Sequence, residues 1–330
     1  MRCRSLIAGL AATVVLWAGT GGESAGAAGG APRVVVSIPP LHSLIAGVMA
    51  GIGEPMLLID GASSPHAYSL RPAAARALAA AEAVFWIGPD LETFLPKPLE
   101  ALAGGARVVT VMAVPDLILF PIRVGGAWEP DEDDDHAAPE ETARAAAEGE
   151  AVLGHGAFDP HVWLDPRNAR QIVAAAAVVL AEIDAANADT YRANAARLDG
   201  ELASLEAELA DRLAPVRGVP FIVFHDAYHV FEARFGLNAV GAFALTPGTA
   251  PGARRVAELR ARIVESGAAC VFVEPQFEPA IVRAAVTGTT ARIAVLDPLG
   301  ADLAPGPAAY AQLLRGLANS LVTCLGGAPR

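Results

Sequence analysis

Charge is scarce in this chain. Only 18% of its 330 residues are charged, and the acids exceed the bases enough to leave a formal net charge of −12. That deficit of positive charge argues against nucleic acid and anionic lipid as partners, since both are held through phosphate contacts. Cysteine is scarcer still, with Cys3, Cys270 and Cys324 as the full complement. There is no C-x-x-C run, no H-x-x-x-H run and no H-E-x-x-H pairing of metal ligand with general base. Long hydrophobic runs are missing after the first twenty or so residues, and no cysteine follows the first run where a lipid anchor would need one.

What the chain does have is apolar residues, 53% of the total, enough for a large core and for two domains of ordinary size. Arg2 and Arg4 precede an apolar run over 6–18, and Ala25-Gly26-Ala27 follows as a cleavage signal. The run is too short to span a bilayer. Residues 1–27 are therefore expected to be a signal peptide that exports the chain to a soluble extracytoplasmic compartment. Loss of Cys3 with that segment leaves Cys270 and Cys324. In an oxidising compartment this pair can close a disulfide, constraining the unfolded chain by roughly 4 kcal/mol; two buried thiols are the alternative.

The mature chain opens on a continuous apolar run, 34–38, which reads as a strand buried on both faces. Further strands are expected at 56–59, 84–87 and 107–112, with helices at 41–51 and 71–81 between them. Residues 127–157 break the pattern. The run Asp131-Glu132-Asp133-Asp134-Asp135-His136 is too densely charged to pack, so this segment is expected to be a solvated, mobile acidic loop. His136 and His155 offer an auxiliary metal site within it, although a plain solvated insertion explains the same residues.

Next comes Phe158-Asp159-Pro160-His161-Val162-Trp163-Leu164-Asp165-Pro166, one histidine held between two Asp-Pro turns. Proline keeps the preceding residue out of the α region, so His161 is presented from a stiff loop. A helix follows to about residue 184, apolar around most of its circumference and roughly 25 Å long. A charged amphipathic helix over 188–213 reads as a solvated flank. Strands then resume at 219–224, 239–243, 269–273 and 292–296, with helices at 227–235, 253–266, 279–287 and 308–324. The expected fold is α/β: two similar lobes with mostly parallel four-stranded sheets, 34–164 and 187–330, joined by one long helix within 165–186.

Parallel α/β sheets collect ligands at the carboxyl ends of their strands. His225 directly follows one strand, Asp297 directly follows another, His66 lies in the turn beyond a third, and His161 lies in the stiff loop. Two facing lobes would bring these four side chains into one interlobe cleft. Neutral imidazoles with a carboxylate or water suit Zn²⁺, and a nitrogen-rich set suits it better than Mn²⁺. His42 and His229 sit among apolar residues on expected helices and are read as packing or capping there. Glu274 and Asp226 are the acids that could serve as general base if the site were an exported zinc hydrolase.

Several motifs taken together resemble the zinc-specific solute-binding proteins of bacterial ABC importers, the ZnuA type. They are SIPPLHSL at 37–44, GASSPHAYSL at 61–70, VFWIGP at 84–89, DPHVWLD at 159–165, FHDAY at 224–228, VEPQF at 273–277 and LDPLG at 296–300. They run in order from about residue 34 to 325. The resemblance implies two α/β lobes bridged by a rigid helix that limits them to small tilts, with a transported Zn²⁺ in the cleft. It implies a periplasmic, monomeric receptor that is not an enzyme and that serves a membrane permease. Its metal-binding histidines fall on His66, His161 and His225, with Asp297 or a water as fourth ligand, and its disulfide on Cys270 and Cys324. Two departures stand out: the histidine-rich loop of many relatives is replaced by the acidic segment around 131–136, and Pro65 stands where some relatives carry a glutamate. Manganese-type relatives commonly have an acid where this chain has His225.

Overall fold

The computed structural model describes residues 30–60, 63–124, 128, 156–244, 253–276 and 280–327. The expected signal segment at 1–27, together with His136 and His155, lies outside the described residues. Val34–Val36 (β1), Met56–Leu57 (β2), Ala83–Trp86 (β3) and Arg107–Thr110 (β4) form one sheet in the order β2-β1-β3-β4. Pro220–His225 (β5), Asn238–Ala244 (β6), Cys270–Val273 (β7) and Arg292–Val295 (β8) form a second in the order β6-β5-β7-β8. Every pairing is parallel. The two sheets share one topology, so the expected α/β class with twin four-stranded lobes is the observed one. The inner strands β1, β3 and β7 are buried at every residue, as their unbroken apolar runs require.

The helices are Pro39–Val48 (α1), Pro72–Ala80 (α2), Pro96–Leu102 (α3), Pro166–Ile183 (α4), Ala188–Leu213 (α5), His229–Phe235 (α6), Ala253–Ser266 (α7), Ala280–Val286 (α8) and Ala309–Leu325 (α9). Each of α1 to α4 starts on proline, whose missing N–H would have had no partner in the first turn and whose fixed φ already suits a helix. Sequence patterning did not anticipate α3, because Pro96 and Pro98 look like breakers. Both fall in its first turn, where a donor is not needed. No described helix is long and apolar enough to cross a membrane.

The long helix α4 differs from expectation. Ile172, Val173, Ala176, Ala177 and Leu180 are buried, but Val178 is 59% exposed, so the helix has one packed face and one wet one. Alanine supplies small contacts on both sides, and only the side meeting α1 and α5 is covered. Asp165 caps its start by accepting from the Arg167 amide at 2.8 Å. On α5, Leu198, Leu202, Leu205, Leu209 and Leu213 make the buried stripe of an amphipathic helix.

One hydrophobic core runs from Val34 in the first sheet to Leu325 at the end of α9 without a break between lobes. A smaller cluster, including Ile222, Phe224, Leu259, Ile263 and Val282, fills the outer side of the second sheet. Polar contacts join the halves as well. The Tyr310 amide donates to Ser43 Oγ at 2.9 Å, the Tyr310 hydroxyl to the Trp163 carbonyl at 2.7 Å, and Trp163 Nε1 to the Pro298 carbonyl at 2.9 Å.

Cys270 on β7 and Cys324 on α9 form a disulfide that closes a sequence separation of 54, with Cα atoms 6.2 Å apart. It ties the last helix to an inner strand of the second sheet. Replacing both cysteines by alanine is expected to lower unfolding stability by about 4 kcal/mol through the restored freedom of the unfolded chain. Urea denaturation with and without a thiol reductant checks this: the reduced wild type should match the double variant, and an unchanged midpoint would show that the bridge is mechanically idle.

Candidate metal centre

Three of the four side chains expected at the strand ends converge. Ligand atoms of His66, His161 and His225 all lie within 4.8 Å of one another, the only such group of three among the described residues. Each is placed by a different local device. His66 sits on a single 3-10 turn, Pro65–Ala67, in the loop beyond β2. His161 caps the 3-10 turn Val162–Leu164, which is buried throughout and leads into α4. His225 is the last residue of β5, at the switch point where the chain leaves that strand to either side. Between the rings lies a cavity of about 10 Å³, large enough for the centre of one water-sized sphere, walled also by Trp163, Glu274 and Leu299.

Two carboxylates, both buried, fix how two of these rings face. His161 Nδ1 lies 2.7 Å from Asp159 Oδ1, which also accepts from the His161 amide at 3.0 Å. His225 Nδ1 lies 2.5 Å from Glu274 Oε1, and Glu274 directly follows β7, across the switch point from β5. With Nδ1–H donated to a carboxylate, each ring turns its Nε2 lone pair into the cavity. Those two Nε2 atoms are 3.3 Å apart. Two ligands at about 2.05 Å from one ion, separated by the tetrahedral angle, are also about 3.3 Å apart. His66 Nε2 is buried and has no hydrogen-bond partner. The three nitrogens have the spacing and orientation to hold one cation.

Asp297, the fourth residue expected in the cleft, does not join this group. Its Oδ1 accepts from the Leu299 and Gly300 amides at 3.0 Å each, and its Oδ2 from the Ala301 amide at 2.6 Å. The carboxylate is spent on the turn it begins. Gly300 takes φ of +74° there, and an added Cβ would meet Leu303 Cδ1 at 2.9 Å, so the turn requires glycine. His42 is buried on α1 with Nε2 at 2.9 Å from the Pro55 carbonyl. The His229 ring packs at a tilt against Phe120, with centroids 5.0 Å apart. Both are outside the cluster, as their apolar neighbours suggested.

Asp159 and Glu274 are the functional residues that sequence reading underused. Asp159 precedes His161 by two positions, the spacing of an Asx turn, and that signal was available. The pairing of Glu274 with His225 spans two strands and has no local signature.

Burial, followed by repulsion from the charged forms of His161 and His225, holds His66 well below its ordinary value of 6.5. Burial and the neighbouring His225 do the same to His161. At His225 burial pulls downward too, but Glu274, with help from Asp226 and Asp159, outweighs it and the net direction is up. Burial pushes Asp159 up to about 6 despite the His161 amide it accepts. Two imidazoles held toward the neutral form therefore face one that holds its proton more readily.

Twin doubly wound lobes with a ligand cluster between them are the architecture of two-lobed solute receptors. A family model described as "ZnuA: Zinc-uptake complex component A periplasmic" matches residues 34–324. The chain belongs to this family. It is 45% identical over 313 residues to the high-affinity zinc uptake system protein ZnuA of Brucella abortus (strain 2308), an alignment covering 90% of this chain and 93% of that one. It is 36% identical to the ZnuA protein of Yersinia pestis, over 88% of this chain and 91% of the other. A crystal structure of ZnuA superposes with a TM-score of 0.71 at 26% identity, covering 89% of this chain and 99% of that chain. The periplasmic zinc-binding protein TroA of Treponema pallidum, at 19% identity and a TM-score of 0.72 over 90% of this chain and 99% of that one, shares the fold.

A histidine whose folded pKa is depressed binds its proton more weakly in the native state than in the unfolded chain. His66 therefore subtracts stability as pH falls below about 6.5 and contributes nothing above it. In metal-free protein, His66→Gln is expected to flatten the dependence of stability on pH between about 6.5 and 5 by up to about 1.4 kcal/mol per pH unit. Asp159, His161 and His225 are common to both proteins, so the difference in slope reports His66 together with its coupling to the two neighbouring histidines. Urea titrations at several pH values measure it; parallel curves would contradict a buried neutral His66.

Proposed function

We propose that this chain is a periplasmic zinc receptor that captures Zn²⁺ and delivers it to the membrane permease of an ABC importer. The observation that carries this reading is the convergence of His66, His161 and His225, whose ligand atoms lie within 4.8 Å of one another, with the Nε2 atoms of His161 and His225 3.3 Å apart. Buried carboxylates on Nδ1 of both rings keep those Nε2 atoms turned into the cavity, where a proton or a cation can lie between them. His66, His161 and His225 are assigned as the ligands, through Nε2. Because the Asp297 carboxylate is committed to three backbone amides, we assign the fourth position to water, as in an open tetrahedral site. Asp159 and Glu274 together balance the charge of a divalent ion and keep the rings in the ligating tautomer.

The donor set separates this reading from its rivals. Manganese favours oxygen, whereas the cluster offers three imidazole nitrogens. A zinc hydrolase needs a general base free to reach metal-bound water. Glu274 is engaged by His225, and Asp226 by Arg123 at 2.8 Å. The names of the curated relatives agree with uptake. The lobes are taken as 34–164 and 187–330 with 165–186 as the bridge, and the three histidines all come from one chain, so a monomer suffices. The continuous core and the packed face of α4 favour small tilts over wide closure, with release through movement of the loops around His161 and His225. Export of the chain through a cleaved leader at 1–27 completes the reading.

Purified protein is expected to carry stoichiometric zinc, and His66→Ala, His161→Ala and His225→Ala are each expected to lose it. Metal analysis by mass spectrometry decides this, and retention of zinc in all three variants would sink the assignment. Affinity should also depend on pH, because His225 must release its proton before zinc can bind. With its pKa above 6.5, zinc affinity is expected to fall by about tenfold per pH unit once pH drops below that value. Competition titrations at pH 7.5 and 5.5 against a chelator of known pH dependence measure it, and equal affinities at the two would remove the histidine site.

A further inference from the structure

A cluster of buried charge lies beside the metal centre, and the zinc reading makes no use of it. Arg123 is only 16% exposed, yet its guanidinium engages two acids from the opposite lobe. Its Nε lies 2.8 and 3.1 Å from the two oxygens of Asp226, and its two terminal nitrogens lie 3.0 Å from the two oxygens of Glu232. Asp226 is the residue after His225, and Glu232 is on α6, the helix that follows. The plane of Arg123 is covered in turn by the Trp128 ring, whose centroid is 3.5 Å from Cζ.

The backbone that carries Arg123 also carries the His161 side of the centre. Pro121 pairs antiparallel with Phe158, the Ile122 amide donates to the Ala157 carbonyl at 3.2 Å, and the Asp159 amide donates to the Phe120 carbonyl at 2.8 Å. Asp159 is the carboxylate on His161 Nδ1. One arginine thus joins the short ladder that fixes Asp159 and His161 to the turn that fixes His225.

We propose that Arg123 is the positioning residue of the metal centre, setting the separation of His161 and His225 by clamping the His225 turn to the ladder behind His161. This rests on the zinc reading above. The planar five-donor fork of arginine suits the task, because it can hold two carboxylates at once in fixed orientation. Buried ion clusters contribute little net stability compared with apolar packing, and geometry is the role they serve best. One guanidinium against two carboxylates leaves the cluster net negative, so it also lowers the energy of a cation at the adjacent centre.

The test compares Arg123→Lys and Arg123→Gln with Arg170→Lys, a control at the exposed pair with Asp199. Lysine keeps the charge, so this variant is expected to fold, but it cannot fork across Asp226 and Glu232. Zinc release into excess chelator, followed by stopped flow, is expected to speed up about tenfold or more in Arg123→Lys and further in Arg123→Gln, with no change in Arg170→Lys. The visible absorption of the Co²⁺-loaded protein should shift in both Arg123 variants, a change that a merely stabilising ion pair would not produce. Wild-type release rates and an unchanged cobalt spectrum in both Arg123 variants would overturn the proposal while leaving the three-histidine site intact. Loss of zinc binding by none of the histidine-to-alanine variants would instead overturn both.

Discussion

The fold holds the Nε2 atoms of two buried imidazoles 3.3 Å apart, close enough to share one proton or one cation. Asp159 and Glu274 turn His161 and His225 so that Nε2 faces Nε2 at 3.3 Å. Everything around the cavity serves to maintain that opposition. The buried turn Val162–Leu164 and the Asp165 cap keep His161 from retreating, and β5 and β7 hold His225 and Glu274 across one switch point. Rotating either ring would strand a buried carboxylate. The pair is preorganised to share a proton or a cation. His66 completes the set with a nitrogen that has nothing else to bond.

Much of the architecture could be read from apolar pattern alone, because parallel strands covered on both faces are continuous apolar runs with helices between them. Four strands per lobe are the outcome of that pattern, whereas the strand order the two sheets share emerges only in three dimensions. What patterning misses is burial by neighbours: α4 looked apolar all round, yet Val178 faces water because alanine is small enough to suit either environment. Proline misled at α3, where a first-turn position makes it harmless. At the candidate site, the places of the three histidines after strands and in the stiff Asp-Pro loop gave a weak signal of their convergence, and the motifs shared with the family singled them out. Asp297 has the same placement, and only the three-dimensional turn reveals that its oxygens are already taken by backbone amides. Arg123 was not legible at all, since its partners lie about a hundred positions away, at sequence separations of 103 and 109.

The lobes differ in how they supply the candidate ligands. The first offers His66 from a loop turn and the second offers His225 from the end of a strand, while His161 belongs to the segment entering the bridge. His161 and His225 are each backed by a buried carboxylate, and His66 is placed by its turn alone.

The contact between Tyr310 and Ser43 has a consequence for how such a chain is made. It joins α9 to α1 across 267 positions, and the core they share contains residues from nearly every element between. Contacts that distant raise the contact order of a fold and slow its formation, and they need both ends of the chain. The opening strand and helix therefore complete their burial only once the final helix has docked on them.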